Sequence, residues 1–266
     1  MSPGRDLVAR WVDGWCRMQT VAVYNLKGGV GKTATAVNLA HLASREGRRI
    51  LLWDLDPQGA ASFYLRVKAK VKGGGKKLLR GATAIDDVIR ATTFPGLDLL
   101  PADFSYRSLD LALKGSHKPA KQLAAAMAPL RSRYDLVFLD CPPSVSLVSE
   151  AVLHAADLLL VPVIPTTLSL RTLRQIEEFV QDEGPRRLRV APFFCMVDVR
   201  KRMHRELVAV PEMQGEAFLR TIIPSASIVE RMGVERAPLG AFAPSSPAAQ
   251  AYEALWKEIA GRLQTV

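Results

Sequence analysis

Residues 25–35 read NLKGGVGKTAT and lie between an apolar run at 21–25 and a helical pattern at 32–46. A strand, a glycine-rich loop and a helix in this order are typical of a phosphate-binding loop, whose backbone N–H groups and helix N-terminus face phosphate oxygens. The general pattern G-x-x-x-x-G-K-[ST] requires a glycine where this sequence has Leu26, and a second lysine, Lys27, follows it. The loop therefore keeps the phosphate-binding end of the pattern and departs from it at the start.

The residue types at the end of the loop each serve phosphate chemistry. Gly28, Gly29 and Gly31 let backbone N–H groups turn inward around phosphate oxygens. Lys32 is expected to neutralise the β- and γ-phosphates of a nucleotide, and the Thr33 hydroxyl is expected to ligate Mg²⁺. The sequence thus predicts a nucleotide site with Mg²⁺.

Two other segments place aspartates where predicted strands end. The segment YDLVFLDCPPS carries an apolar run to Asp140, the position of a Walker B aspartate that helps to hold Mg²⁺. The segment WDLDPQGAAS ends a second run at Asp54, and Asp56 follows just before a Pro-Gln-Gly turn. A carboxylate at the carboxyl end of a strand near the loop can face the γ-phosphate, orient water or reach Mg²⁺ through water.

Apolar runs alternate with helical patterns along most of the chain. This alternation predicts an α/β fold of the P-loop NTPase type, a mostly parallel twisted sheet with helices on both faces. Strands are predicted at residues 21–25, 49–54, 97–100, 135–140, 157–163, 189–197 and 218–223, and helices at 32–46, 169–181 and 247–263. With 266 residues, 48 % of them hydrophobic, one core is expected, and residues 18–266 are predicted to form one domain.

Two segments stand apart from this alternation. Residues 1–17 have apolar residues at helical spacing, which suits either a docking or membrane-surface helix or an extension outside the core. Residues 66–80, RVKAKVKGGGKKLLR, carry seven basic residues and no acidic ones around three glycines. This composition predicts an exposed, mobile loop or a loose hairpin.

The overall charge favours polyanionic partners. The formal net charge is +10 and the sequence pI is about 9.8, which attracts DNA, RNA or anionic lipid. Three widely spaced cysteines without a CxxC pair favour a reducing cytoplasm. No apolar stretch approaches the roughly 18 residues of a membrane span, and early charges argue against a secretory signal.

Three motifs together, NLKGGVGKTATAVNLA, LLWDLDPQGAAS and YDLVFLDCPPS, resemble in order and spacing the ParA family of partition ATPases. This family belongs to the ParA/MinD group, whose "deviant" Walker A motif lacks the first glycine and has a signature lysine. The resemblance runs from about Met18 to the C-terminus. It implies an ATP hydrolase that is slow, Mg²⁺-dependent and stimulated by a partner.

The resemblance also implies roles for particular residues. Lys27 would reach across a dimer interface to the ATP of the other subunit and act in catalysis with Lys32 and Asp56. Asp56 would position the hydrolytic water, and Asp54 would support the Mg²⁺ shell formed with Thr33 and Asp140. Pro224, in a segment similar to the family's base-recognition region, would touch adenine. The implied ATP contacts are Lys27, Gly28, Gly29, Val30, Gly31, Lys32, Thr33, Ala34 and Pro224.

The implied function is an ATP-dependent homodimer that binds nonspecific DNA on the nucleoid and segregates or positions a cargo with a ParB-like or other adaptor. Basic clusters can neutralise phosphates without reading sequence. The candidates are Arg171, Arg174, Arg200, Lys201, Arg202 and Arg205. Family members commonly have arginine and asparagine after the proline that corresponds to Pro224, whereas this chain has Ser225 and Ala226. The Arg200–Arg205 cluster or the 66–80 segment could compensate, and that segment could instead contact the adaptor.

The main alternative is a MinD-like membrane-associated positioning ATPase. That function would need a C-terminal amphipathic anchor with basic and bulky apolar residues. The C-terminal AYEALWKEIAGRLQTV has mixed charges and is typical of a helix that packs in a core. Only the tryptophans of residues 1–17 support the membrane alternative.

Overall fold

The computed structural model describes residues 17–114, 118–210 and 217–264, and within them one seven-stranded sheet. Its order is β3-β4-β2-β5-β1-β6-β7, and every neighbouring pair is parallel except β3 with β4. The strands are β1 (Gln19–Val23), β2 (Ile50–Asp54), β3 (Arg90–Ala91), β4 (Leu97–Leu100), β5 (Leu136–Asp140), β6 (Leu158–Val163) and β7 (Arg189–Phe194). The predicted fold class, a mostly parallel P-loop NTPase sheet, is confirmed.

Helices connect the strands and cover the sheet. They are α1 (Lys32–Arg45), α2 (Ala60–Tyr64), α3 (Gly74–Leu79), α4 (Leu109–Lys114), α5 (Pro119–Met127), α6 (Leu147–Ala155), α7 (Thr167–Glu183), α8 (Arg202–Val208), α9 (Ser227–Glu230), α10 (Met232–Glu235), α11 (Leu239–Phe242) and α12 (Pro247–Gln264). Short 3-10 turns lie at Ile85–Asp87, Phe104–Ser108 and Ala128–Ser132.

The central strands are buried on both faces, which explains their continuous apolar sequences. Val21 and Val23 of β1 belong to the core on one face, with α1 and α12, whereas Ala22 belongs to the core on the other face. In α12, Tyr252 and Trp256 are at most 2 % exposed, so the C-terminal helix packs in the core as its sequence predicts. No helix within the described ranges is long and apolar enough to cross a bilayer.

The strand predicted at residues 218–223 is wrong. This segment runs beside β7 and exchanges isolated hydrogen bonds with it, such as Leu219 N to the Pro192 carbonyl (2.8 Å) and Ile223 N to the Phe194 carbonyl (2.9 Å). A single bridge joins Val197 to Pro224. The carbonyl of Pro192 points toward this segment, and an N–H on the same residue would point the same way. Because proline has no N–H, the donor that a regular ladder needs at this position is missing.

The loose loop or hairpin predicted at residues 66–80 is also wrong. The segment contains α3, and Val71, Leu78 and Leu79 are each at most 6 % exposed. Its backbone is held by side chains from the segment after β4: Asp103 accepts from Val71 N (2.8 Å) and Ser105 Oγ accepts from Gly75 N (2.8 Å). The few buried apolar residues therefore hold the segment in place, whereas its lysines are exposed to solvent.

The predicted N-terminal extension falls on residues 1–17, of which 1–16 lie outside the described residues.

Candidate functional site

The phosphate-binding loop follows β1 and is anchored at its start by Asn25. This buried side chain donates to the Pro162 carbonyl of β6 (2.8 Å) and accepts from Lys27 N (2.9 Å). The side chain therefore fixes the direction in which the chain leaves β1. Sequence reasoning treated Asn25 only as a strand end, and its place two residues before the signature lysine was the available signal.

Two glycines of the loop adopt backbone conformations that other residues avoid. Gly29 has φ 71° and Gly31 has φ 90°, both in the left-handed region. A Cβ on Gly31 would also lie 2.9 Å from the buried Cys195 Sγ. Gly31 thus allows the loop to pass close to the end of β7 and to start α1 at Lys32, where its carbonyl accepts from Thr35 N (2.9 Å).

The two lysines of the loop lie in different environments. Lys32 is 7 % exposed, and its Nζ donates to the Lys27 carbonyl (2.8 Å). Burial lowers the pKa of Lys32, and the nearby carboxylates of Asp140 and Asp56 oppose that shift. The side chain of Lys27 is half-buried, does not line the cavity beside the loop, and makes no hydrogen bond or ion pair with the described residues.

Strand register brings the two metal-site aspartates together. Asp54 on β2 pairs directly with Asp140 on β5, and Asp140 pairs on its other side with Val23 of β1. Both aspartates are fully buried. Burial, with the neighbouring charge of Asp54, raises the pKa of Asp140 well above its ordinary value, and burial raises the pKa of Asp54 to about 6.

These carboxylates lack the partners that buried charges need. Ser62 donates both its N–H and its hydroxyl to Asp54 Oδ2 (2.8 Å each). Among the described residues, Asp54 Oδ1 and both carboxylate oxygens of Asp140 have no partner in hydrogen-bond geometry, although the Thr33 hydroxyl lies near enough to lower the pKa of Asp140. Orphaned buried oxygens are costly unless a cation satisfies them. Mg²⁺ prefers one or two carboxylates together with phosphates and water, so Thr33, Asp54 and Asp140 fit a nucleotide-bound Mg²⁺.

A cavity of about 410 Å³ opens beside the loop and is large enough for a nucleotide. Its wall includes most of the predicted ATP contacts and Asp56, whose Oδ1 accepts from Gln58 N (2.9 Å). Val30 is buried and does not line it. The predicted residues on the wall are Gly28, Gly29, Gly31, Lys32, Thr33, Ala34, Asp56 and Pro224.

Sequence reasoning missed several side chains of the cavity wall. Tyr64 from α2, Cys195 and Met196 after β7, and Tyr252 from α12 all line it. Each lies in a segment whose local pattern indicates only core packing, and no motif surrounds it. Only the sheet topology brings these segments to the loop.

The six DNA-binding candidates are exposed but not equivalent. Arg171 and Arg174 on α7 and Lys201 before α8 make no ion pair with the described residues. Arg200 forms a two-pronged ion pair with Asp198 (2.9 Å for each bond). The remaining two also have internal partners: Arg202 pairs with Glu206, and Arg205 donates to the Val199 carbonyl.

Sequence relatives match nearly the whole chain. An AAA domain family model matches residues 18–185. The chromosome-partitioning ATPase Soj of Thermus thermophilus is 33 % identical over 254 residues, covering 93 % of this chain and 98 % of the relative. The sporulation initiation inhibitor protein Soj of Bacillus subtilis is 30 % identical over 246 residues, covering 90 % and 97 %.

A solved structure gives the same fold with ligands. The cobyrinic acid a,c-diamide synthase of Mycobacterium smegmatis with bound ADP and magnesium superimposes with a TM-score of 0.77 at 27 % identity, covering 93 % of this chain and 96 % of that one. Another structure of that synthase holds an ATP analog and magnesium, with the same TM-score. Together with the Soj relatives, the deviant loop and the two carboxylate strands show that the chain belongs to the ParA family of partition ATPases.

Proposed function

We propose that the protein is an ATP-timed switch: ATP joins two subunits, the dimer binds DNA without sequence preference, and slow hydrolysis returns the monomer. A ParB-like or other adaptor would stimulate hydrolysis, and repeated cycling on the nucleoid in the cytoplasm would segregate or position a cargo. The observation that carries this proposal is the contrast between the two lysines of the loop.

Lys32 and Lys27 cannot play the same part within one subunit. Lys32 is buried at the cavity wall, whereas Lys27 lies off that wall with an ammonium that has no partner among the described residues. A cation placed at the rim of its own site is available to the phosphates of an opposing subunit. Such a contact would make dimerisation depend on the nucleotide and would stabilise phosphate charge during transfer.

Hydrolysis would be performed at the mouth of the cavity. Asp56 lines the wall, and the bond from Gln58 N to its Oδ1 orients its carboxylate, which suits the positioning of a water molecule. Mg²⁺, held by Thr33, Asp54 and Asp140 together with the phosphates, would neutralise charge on the transferred group. Lys32 would bind the β- and γ-phosphates from the side of α1.

DNA binding would begin with the cations that have no internal partner. Arg171, Arg174 and Lys201 are exposed and free of ion pairs among the described residues, so DNA phosphates would displace no salt bridge there. The ion pair of Arg200 with Asp198 is already two-pronged, so its contribution would be smaller. A dimer presents each cluster twice, and affinity for DNA would therefore rise with ATP.

The first test is binding of the purified protein to random-sequence duplex DNA with ATP, ADP or no nucleotide, at about 50 mM and about 200 mM salt. Anionic liposomes form a parallel arm. We expect binding that requires ATP and weakens with salt. Binding to liposomes but not to DNA would contradict the proposal and favour the MinD-like alternative.

Lys27→Ala directly tests the contrast between the two loop lysines on which the proposed function rests. We expect it to abolish ATP-dependent dimerisation, measured by analytical ultracentrifugation, while ATP affinity falls much less. Lys257→Ala, which removes an exposed lysine from α12, is the matched control and should dimerise normally. If dimerisation and ATP binding were lost equally, Lys27 would be contacting the ATP of its own subunit.

A further inference from the structure

Six exposed cations form a surface that the proposed cycle leaves without a partner. They lie before, on and just after α3, and none has a salt bridge or a side-chain hydrogen bond with the described residues. We call this set the α3 basic surface: Lys68, Lys70, Lys72, Lys76, Lys77 and Arg80. Arg66, at the start of the segment, is excluded because it donates to the Glu235 and Arg236 carbonyls.

The scaffold beneath this surface is tightly built. A Cβ on Gly75 would lie 2.5 Å from the Tyr106 ring, so α3 rests directly on the 3-10 turn at Phe104–Ser108. On its other side, Gln122 of α5 donates to the Leu79 carbonyl (2.9 Å). Backbone already held in place loses little further freedom when its side chains bind a ligand.

The acidic residues nearest this surface have other partners. Asp103 accepts from Val71 N and Ser105 N, and Asp86 pairs with Arg133. No acidic residue occurs between Arg66 and Thr83. Asp103 attracts Lys70, but none of the six cations forms a salt bridge with the described residues, so an external polyanion would relieve the repulsion that remains among them.

The chemistry of the surface favours a phosphate backbone over an acidic protein. Protein interfaces contain a desolvated apolar core, but Val71, Leu78 and Leu79 of this segment all point inward and are at most 6 % exposed. Phosphate contacts need only cations at intervals along a path. Lys68, Lys70 and Lys72 alternate along the chain, and Lys76 and Lys77 continue the row on α3.

We propose that the α3 basic surface is a second binding surface for the DNA backbone, separate in the chain from the α7–α8 cations. The ATP-bound dimer would hold DNA phosphates with both sets. This proposal rests on the proposed DNA-binding function, and it assigns the 66–80 segment to DNA instead of to the adaptor.

The test compares two pairs of substitutions that change net charge equally. Lys76→Gln/Lys77→Gln removes two cations of the surface, and Arg45→Gln/Lys257→Gln removes two exposed cations from α1 and α12. DNA affinity is measured with ATP across a salt series. We expect the first pair to weaken binding about tenfold and to lower the salt slope by about two for each subunit that contacts DNA, since each lost phosphate contact lowers it by about one. The control pair should show neither change, and Lys76→Arg/Lys77→Arg should bind as the unaltered protein does.

Each other result has its own meaning. If the unaltered protein binds DNA with ATP but Lys76→Gln/Lys77→Gln keeps the same slope, this proposal is wrong and the proposed function stands. If the same pair weakens binding to poly-glutamate and spares DNA, the surface serves an acidic protein partner. If the pair prevents dimerisation in ultracentrifugation, the surface belongs to the subunit interface. Absence of any ATP-dependent DNA binding by the unaltered protein would reject the proposed function itself.

Discussion

At the scale of single residues, Gly31 shows how one missing side chain shapes the nucleotide site. Two separate constraints act on Gly31: its φ of 90° and its closeness to Cys195 Sγ. Gly29 has only the backbone constraint, with φ 71°, because nothing lies within 4 Å of a Cβ built there. The conformational cost for a non-glycine residue in the left-handed region is about 1–2 kcal/mol. Any cost beyond that at Gly31 comes from the thiol.

We therefore expect Gly31→Ala to lower stability by more than Gly29→Ala, and Gly28→Ala, which lacks both constraints, to lower it least. Thermal unfolding without nucleotide measures this order. Adding Cys195→Ala to Gly31→Ala should recover part of the loss, because it removes the contacting sulfur. No recovery would show that the thiol is not the obstacle.

Asp140 carries a stability cost that the proposed Mg²⁺ site would explain. Its carboxylate is buried without a partner in hydrogen-bond geometry among the described residues, and its pKa is raised well above 3.8. We expect Asp140→Asn, without nucleotide or metal, to raise stability by about 1 kcal/mol or more, or about 2–4 °C in melting temperature. In the same variant, Mg²⁺ should no longer strengthen ATP binding, as titration calorimetry would show.

The stability gain in Asp140→Asn should depend on pH with a definite sign. A folded-state pKa above the unfolded value means that the folded protein holds the proton more tightly, so stability declines as pH rises through the folded pKa. Asparagine does not titrate, so the gap between the variant and the unaltered protein should widen from about pH 5 to about pH 8. A constant gap would mean that Asp140 is already ionised in both the folded and the unfolded protein over this range, so that its folded-state pKa is not raised into it.

At the scale of elements, the segment between α2 and the 3-10 turn at Ile85–Asp87 depends on hydrogen bonds from outside itself. Asp103 accepts from Val71 N and from Ser105 N, and Ser105 in turn holds Gly75 N. A helix as short as α3 is not stable alone in water. The hydrogen bonds from Asp103 and Ser105, together with the burial of Leu78 and Leu79, must therefore stabilise α3.

Asp103→Ala should therefore loosen residues 66–80 while the sheet stays intact. We expect amide hydrogen exchange in this segment to accelerate at least tenfold, with exchange in β1 and β5 unchanged. Asp87→Ala is the control, because the exposed Asp87 side chain holds no backbone N–H. Uniform acceleration across the sheet would contradict a local role for Asp103.

The success of sequence reasoning differed between elements for physical reasons. The central strands were predicted correctly because burial on both faces demands continuous apolar runs. The 218–223 segment, FLRTII, is apolar at both ends but polar in the middle, and Pro192 on the neighbouring strand cannot supply the donor for a ladder. In residues 66–80, seven basic residues outnumber five apolar ones, although the three buried ones, Val71, Leu78 and Leu79, decide the structure.

At the scale of the whole molecule, sequence motifs revealed the loop residues of the cavity wall, Asp56 and Pro224, but not the other side chains that line the cavity. Residues 28–34, Asp54, Asp56 and Asp140 could be found because each lies in a motif that the chemistry requires. Tyr64 and Tyr252 reach the same cavity through chain segments that the fold brings together, so no local pattern could reveal them. The glycine loop predicts the chemistry, whereas the topology determines which other side chains line the cavity.

The cycle of the whole molecule is expected to stall when Asp56 is removed. Asp56→Ala should leave ATP binding intact but should slow hydrolysis, so that an ATP-bound dimer accumulates on DNA. Dissociation of the DNA complex after dilution into ADP measures the trapped state. Gln58→Ala, which alters an exposed neighbour in the same turn, should turn over and dissociate normally. Normal hydrolysis by Asp56→Ala would remove Asp56 from its proposed role.

The strand order has a consequence for synthesis of the protein. β1 lies between β5 and β6, so Gln19 finds its partner Leu136 only after more than a hundred further residues have been translated. At about 5–20 residues per second, a nascent chain holds an unpaired apolar strand for on the order of ten seconds before β5 leaves the ribosome. Pro224 and Tyr252, which also line the cavity, emerge later still. An unfinished chain therefore offers ATP no complete site, and β1 is exposed to chaperones throughout that interval.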